Sequence, residues 1–209
     1  MPEPDDLTIR SATLADAEIC GRLALEPPGG LNAIIGDRDA RARIARATFE
    51  ATGTGFSHER TLVAFRDGHG VIGMVSRFTH DEWPKLRTRT GLVMMRAAGL
   101  RYGIDLLRRG RVEERLMPAI PPGRMYVMAL AVLAERRSAG VGKRLLGRAV
   151  QEAAERGLEA VALDVAAGND RAIAFYRREG FEVLSERHVP ASRGMPSMGS
   201  VRMERALAG

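Results

Sequence analysis

Residues 136–146, Arg-Arg-Ser-Ala-Gly-Val-Gly-Lys-Arg-Leu-Leu, set two glycines one residue apart among four cationic side chains. The stretch follows an apolar run and precedes a helical pattern, so its glycines stand where a strand hands over to a helix N-terminus. Such a position offers unpaired amide N–H groups and roughly half a positive charge from the helix dipole. Glycine lets the backbone approach an anion with no Cβ in the way. Lys143 and Arg144 have the wrong sign for a first helical turn, where the dipole favours acids, and the right sign for holding phosphate. Arg137-x-x-Gly140-x-Gly142 is not rare in itself. Only Lys85 and Lys143 are lysine, so 30 of the 32 basic residues are arginine, and with 23 glycines in 209 residues composition alone produces about 0.3–0.4 copies per chain. Two readings stand, a glycine-containing turn and a phosphate cradle, and the neighbouring elements decide between them.

Those elements are legible in order. Leu7–Ala12 reads as a short edge strand. Residues 13–26 follow as a helix with Thr13 as N-cap, Asp16 and Glu18 in its first turns and Pro27-Pro28-Gly29-Gly30 as its stop. A second helix is predicted over 37–52. Strands 61–66 and 71–80 are joined by Asp67-Gly68-His69-Gly70, a hairpin signal because Asp and Gly tolerate the positive φ of tight turns. From Asp81 to Arg124 the pattern changes. A helix over 91–110 carries one stripe at Leu92, Met95, Gly99, Tyr102 and Leu106 and a second at Val93, Ala97, Leu100, Ile104 and Leu107, a broad apolar face. After the break at 117–123, residues 125–132 form a near-continuous apolar run of strand length, as in a strand covered on both faces. A helix to about Arg156, a strand over 159–165, a helix over 169–180 and strands over 181–189 and 199–207 complete the chain. The class is α/β, with a mixed sheet that has hairpins at both ends and crossover helices in the middle. A single domain, 1–209, is expected, with 81–124 as a helical insert.

Composition narrows the function. The formal charge is +6, but the basic residues are spread along the chain and interleaved with 26 acids, whereas nucleic-acid binders concentrate them on one face; no nucleic-acid partner is expected. No apolar run approaches the roughly 18–20 residues of a membrane span, and the start Met-Pro-Glu-Pro-Asp-Asp has no basic leader region, so no membrane partner and a cytoplasmic location are expected. Cys20 is alone, which leaves no disulfide framework, and it is expected to be a buried small apolar residue. His58, His69, His80 and His188 are scattered, and no metal site is expected.

Residues 130–150 together with 161–183 resemble the GNAT superfamily of N-acetyltransferases. Its phosphate-loop pattern is matched by Val132, Glu135, Arg137, Gly140 and Gly142, with Ala134 where proline is common, Arg136 where an aromatic is common and Ser138 where glycine is common. Asn169, Ala172, Tyr176 and Gly180-Phe181 match the second block. The opening, 9–24, is also in the family's style, while the 81–124 insert and much of 27–60 lie outside the resemblance.

The resemblance implies a mixed central sheet of about seven strands, splayed between 125–132 and 159–165 where a bulge interrupts pairing, with acetyl-CoA as co-substrate in the splay. Backbone N–H groups from Ser138, Ala139, Gly140, Val141, Gly142 and Lys143, with Arg137 beside them, would hold the pyrophosphate. Leu130 and Val132 would pair with the pantetheine arm like an added strand, and an N–H near Val132 would polarise the thioester carbonyl. Asn169 would contact the pantetheine, or serve only as N-cap of its helix, or both. Tyr176 would protonate the departing thiolate, or simply pack its helix on the sheet. The acceptor would be a small-molecule or protein amine attacking directly in a ternary complex. At pH 7 an amine of pKa about 10.4 needs about 4.6 kcal/mol to reach its neutral form, so a base or relaying water is required. Strand 125–132 has no carboxylate; Asp81, Glu82, Glu113, Glu114 and Tyr126 are the candidates. Arg171 and Arg178 are candidates for the 3′-phosphate, or solvated. The methionines at 94–95 and 195–198 would line an acceptor pocket or pack. The insert would be a lid over the acceptor or a homodimer contact. A non-catalytic acyl-CoA-binding regulatory protein is the alternative function, and a basic RNA binder a distant third.

Overall fold

The computed structural model describes residues 7–26, 35, 37–116, 119–191 and 197–207. Seven strands form one sheet: β1 (Leu7–Ser11), β2 (Thr61–Arg66), β3 (Gly70–Thr79), β4 (Arg124–Val132), β5 (Ala160–Ala166), β6 (Glu182–Val189) and β7 (Met198–Ala206). Their spatial order is β1-β2-β3-β4-β5-β7-β6. Every neighbouring pair is antiparallel except β4 and β5. The β2–β3 turn uses positive φ at Gly68 and Gly70, 71° and 72°, as its Asp-Gly signal requires.

The parallel pair is short. Arg124–Val127 match Ala160–Leu163, and pairing stops there. On its other side β4 continues against β3, but with a shift: Ser76 opposes Ala129 and Arg77 opposes Val127, which leaves Met128 as the extra residue of a bulge. A bulge bends its strand and sharpens its twist. The upper half of β4, 128–132, therefore turns away from β5, and the expected splay is present.

Strand alternation divides the core into two layers. Met125 and Val127, with Val161, Leu163 and Val165, face α4 (Val141–Glu155), whose buried Val141, Leu145, Leu146, Ala149 and Ala153 recur at helical spacing; Tyr176 of α5 (Asp170–Arg178) joins them. Leu145 is fully buried, and such a side chain contributes about 1.5–3 kcal/mol by leaving water. Tyr126 and Ala162 face the other way, against Phe78, Leu86 and Ile120. So β4 is covered on both faces, and that is why its run has no polar alternation.

The first helical segment is shorter and more broken than its pattern predicts. Leu14–Asp16 is one 3-10 turn, followed by α1 (Ala17–Leu23). Thr13 does cap it: Asp16 Oδ2 accepts the Thr13 amide at 2.8 Å, and the same carboxylate takes a forked pair from Arg10 at 2.7 and 2.8 Å. The proposed stop at 27–30 lies outside the described residues. α2 (Arg38–Glu50) begins at Asp37, whose carboxylate accepts the amides of Asp39 and Ala40.

The insert departs most from expectation. Its helix, α3 (Trp83–Leu116), is longer than 91–110 at both ends, and Gly99 breaks it with φ 68° and ψ 178°. A Cβ on Gly103 would lie 3.1 Å from Met95 Cε, although residues eight apart on a continuous helix are about 12 Å apart along its axis. Gly99 therefore folds the chain back on itself as two helical arms. The first stripe does not survive this reversal whole: Leu92 is 61% exposed, whereas Ala98 and Leu106 pack with Ile35, Ala40 and Ile44, and Met94, Met95 and Tyr102 lie against them. Of the second stripe, the side chains of Leu100, Ile104 and Leu107 lie outside the described residues. Met94 and Met95 thus pack between the insert and α2. Tyr102 donates to Asp37 at 2.7 Å, and Trp83 stacks on Phe78 at 4.9 Å.

Candidate active site

The splay leaves an edge of β4 open. In an antiparallel pair, alternate residues turn both their N–H and C=O toward the partner strand. The Leu133 amide donates to the Ile72 carbonyl on β3 at 3.0 Å. The Ala131 carbonyl also faces β3, lying 3.0 Å from where a Cβ on Gly73 would stand. Leu130 and Val132, out of step with them, turn their N–H and C=O toward β5, where no strand pairs with them. A peptide-like chain laid in this gap would meet the N–H and C=O of Leu130 and the N–H of Val132, while the Val132 carbonyl already accepts from Arg137 Nε.

At the top of that edge the chain makes a 3-10 turn, Ala134–Arg136, and enters α4. Gly140 caps the helix in the left-handed region, φ 77°. Arg144 N–H is the first to find a helical carbonyl, that of Gly140 at 3.0 Å. From Ser138 to Lys143 the amides donate to no described acceptor, as expected of a helix start. Six successive N–H groups without a described acceptor, three on the exposed loop and three in the first turn of a fifteen-residue helix, set donors and the positive end of the helix dipole together as a bound anion would require. A Cβ on Gly142 would sit 3.6 Å from Phe175 and 3.7 Å from Val132, so the end of β4, the start of α4 and α5 converge there. Lys143, Gly147, Arg178, Glu179, Gly180 and Arg205 line a shallow cavity beside the first turns of α4.

Arg137 is engaged within the protein. Its Nε donates to the Val132 carbonyl at 3.2 Å and its Nη2 to Glu26 at 2.7 Å, which ties the loop to the end of the first helical segment. Ser138 has φ 68° and is the one non-glycine residue with positive φ among those described. This gives the glycine preferred at that place in the family a physical basis, and residue type alone did not reveal that the serine here takes the same conformation.

Asn169 caps α5: its Oδ1 accepts the Ala172 amide at 3.2 Å. Arg171 reaches the Ser138 hydroxyl at 3.5 Å. Tyr176 is buried between Phe175 and Phe181, with ring centroids 5.1 and 5.6 Å away. Its hydroxyl bonds to no described residue, and burial pushes the phenol above its ordinary value. It therefore packs its helix, and it also keeps its proton through the neutral range with its donor unspent.

Of the candidate bases, Glu82 is bonded to Arg60 and accepts the Thr79 amide at 2.8 Å, and Tyr126 donates to Asp164 at 2.8 Å. Asp81 is exposed, and the side chains of Glu113 and Glu114 lie outside the described residues. Asp164 is itself held by Arg202 through two bonds, 2.9 and 2.7 Å. Sequence reasoning passed over this pair; the available signal was an aspartate inside the apolar Ala160–Ala166 strand. Among the described residues no group of three or more His, Cys, Asp or Glu side chains is placed to hold a metal ion. No helix among them is long and apolar enough to cross a membrane.

A family model described as Acetyltransferase (GNAT) family matches residues 37–181. The chain belongs to this family. Among solved structures, an N-acetyltransferase from Staphylococcus aureus Mu50 superposes with a TM-score of 0.68 at 14% identity, covering 94% of this chain and 99% of that one. A protein described only as an acetyltransferase gives 0.64 at 18% identity over 96% and 100% of the two chains. The Escherichia coli ribosomal-protein-S18-alanine N-acetyltransferase gives 0.55 at 18% identity over 97% and 96%. At these identities the likeness is one of fold. No match is found among curated proteins. The match over 37–181 spans both the open edge of β4 and the glycine loop, and it leaves β1, β6 and β7 outside.

Proposed function

We propose that the chain is an acetyl-CoA-dependent N-acetyltransferase that acts on a small-molecule or protein amine by direct attack in a ternary complex. The observation that carries this reading is the continuity between two backbone surfaces: the edge of β4, where Leu130 and the Val132 N–H have no strand partner and the Val132 carbonyl accepts only from Arg137 Nε, and the amides of 138–143. Acyl-CoA has a matching order of parts, an amide-bearing pantetheine arm followed by a pyrophosphate. The arm adds to β4 as a strand would, and the pyrophosphate lies on the head of α4. The N–H groups near Val132 then face the thioester carbonyl as it becomes an oxyanion. Tyr176 keeps its proton and donates it to the departing thiolate. A thiol's reference pKa, about 8.5, lies below a phenol's, so this transfer depends on the same dry surroundings disfavouring the thiolate. Asn169 holds α5 in register beneath the cofactor, and Lys143, Arg178 and Arg205 face the 3′-phosphate.

Titration calorimetry with acetyl-CoA tests the reading. Wild-type protein should bind in the micromolar range, and Gly142→Glu, which puts a carboxylate beside Phe175 and Val132 at the loop, should lose binding. Tyr176→Phe should keep binding and lose turnover with an amine substrate by about 10²-fold or more. No binding to wild type overturns the assignment. The engagement of Glu82 and Tyr126 in other bonds favours a second reading, a non-catalytic acyl-CoA-binding regulator, under which CoA binds but no amine is acetylated.

A further inference from the structure

On the face of the sheet turned away from α4 and α5, three polar side chains from three strands meet in an otherwise apolar setting. Tyr126 on β4 is 2% exposed. The Asp164 and Arg202 side chains, on β5 and β7, are 7% and 4% exposed. Asp164 and Arg202 are directly opposed in the β5–β7 ladder and share two bonds. The Arg202 guanidinium also lies 5.5 Å over the Tyr126 ring.

Their position relative to the splay is the telling feature. Tyr126 is level with Ala162, and the last backbone match between β4 and β5 is Val127 with Leu163. Asp164 is the next residue of β5 and the first without a β4 partner. The Tyr126 hydroxyl reaches diagonally up to it at 2.8 Å. Where backbone bonding between the two strands ends, one side-chain bond carries the connection a step further, and Arg202 anchors its acceptor to β7. A buried ion pair is weak evidence for net stability, since apolar replacements are often as good. A hydrogen-bonded charged group does, however, restrict geometry more than apolar contact does, because directional bonds admit few arrangements.

We propose that Tyr126, Asp164 and Arg202 are positioning residues that fix the opening between β4 and β5 at the width the pantetheine arm requires. The proposal rests on the acyl-CoA reading above. Asp164 is pulled from both sides, toward β4 by Tyr126 and toward β7 by Arg202. The upper part of β5 is thus held at a set distance from Leu130 and Val132, so the edge of β4 stays open to a ligand and is not covered by its neighbour. Preorganising the gap in this way removes an ordering cost from binding. The three side chains lie on the face of the sheet away from α4, and Arg202 also donates to the Ala119 carbonyl at 3.4 Å, so their influence should fall on the arm that enters the splay more than on the glycine loop.

That confinement supplies the test. Dissociation constants are measured by calorimetry for CoA and for adenosine 3′,5′-bisphosphate, which keeps the nucleotide and lacks the arm, on wild type and Tyr126→Phe. Expected is a loss of about tenfold for CoA, equivalent to about 1.4 kcal/mol, with the bisphosphate unchanged. A residue that only supports the fold would lower the melting temperature and leave the ratio of the two constants where it was. An unchanged ratio in the folded variant, whether both ligands weaken equally or neither does, overturns the proposal alone. Wild-type protein that binds neither ligand overturns the acyl-CoA reading, and this proposal with it. If Tyr126→Phe does not fold, Arg202→Lys, which keeps the charge and gives up the forked pair, should show the same split between the ligands, and its absence is equally decisive.

Discussion

Replacing Ser138 by glycine should stabilise the protein, and the size of the gain follows from the loop's geometry. Ser138 has φ 68°, in the left-handed region that costs an L-residue about 1–2 kcal/mol through contact of its Cβ with the backbone. Glycine pays no such penalty but loses more freedom on folding, about 0.4–1 kcal/mol. The middle values leave a net gain of about 0.8 kcal/mol. Little is forfeited with the side chain: its one described bond is a 3.5 Å contact from the exposed Arg171, at the outer limit of hydrogen bonding. For a chain of this size about 1 kcal/mol moves the melting temperature by about 2–4 °C, so Ser138→Gly should melt about 2–3 °C above wild type. Ser138→Ala separates the causes, because it removes the hydroxyl and keeps the strain; it should fall within about 0.5 kcal/mol of wild type. Both are read by thermal unfolding followed by circular dichroism, with urea midpoints as a second measure. A fall in stability for Ser138→Gly, or a gain for Ser138→Ala equal to that of Ser138→Gly, would refute the strain account.

Two further outcomes are expected. Bonds from Arg10, joined by those from Thr13, hold the Asp16 carboxyl below its usual range against the opposing effect of burial. A lowered folded value means that its contribution is complete above the free carboxylate's pKa of about 3.9 and is lost as pH falls through the lower folded value. Asp16→Asn should therefore cost about 1–2 kcal/mol at pH 7, and in urea titrations the gap from wild type should narrow below about pH 4; a gap that stays constant to pH 2.5 contradicts this. Cys20 is fully buried in the Ala12–Leu23 cluster, and its thiol is pushed up to about 12, first by burial and then by the nearby Asp16 charge. It should resist Ellman's reagent at pH 8 in the native protein and react stoichiometrically on unfolding, so rapid native labelling would count against its placement.

Much of the site was legible in the sequence because its signals are local. A free helix start needs only residues that stop one element and begin another, and Gly140 to Lys143 state that within four positions. Asn169 declares itself a cap through its own type and place. The hairpin at 67–70 and the apolar run of β4 likewise depend on neighbours a few residues away, and they appear within a residue or two of where the pattern puts them.

What lay beyond the sequence was set by partners far apart along the chain. Leu92 belonged to a plausible stripe until Gly99, taking a conformation that its residue type allows but does not demand, reversed the insert and left that side chain in solvent. The serine at 138 looked like a tolerated exchange, and only the closed loop shows that it carries positive φ. The division of Leu130 and Val132 from Ala131 depends on register against β3, about 57 residues earlier, and on a bulge at Met128 that no residue type there announces. Tyr126, Asp164 and Arg202 are separated by 38 positions in each step. Their meeting requires β7 to enter the sheet between β5 and β6. By itself the sequence determined most of the elements, their order and the glycine-marked helix start at 140–143, since those follow from periodicity, capping and charge within short windows. Tertiary structure alone decided which backbone groups remain unpaired and which buried charges meet, because both are properties of strand pairing, and pairing is settled between segments that the chain brings together only when it folds.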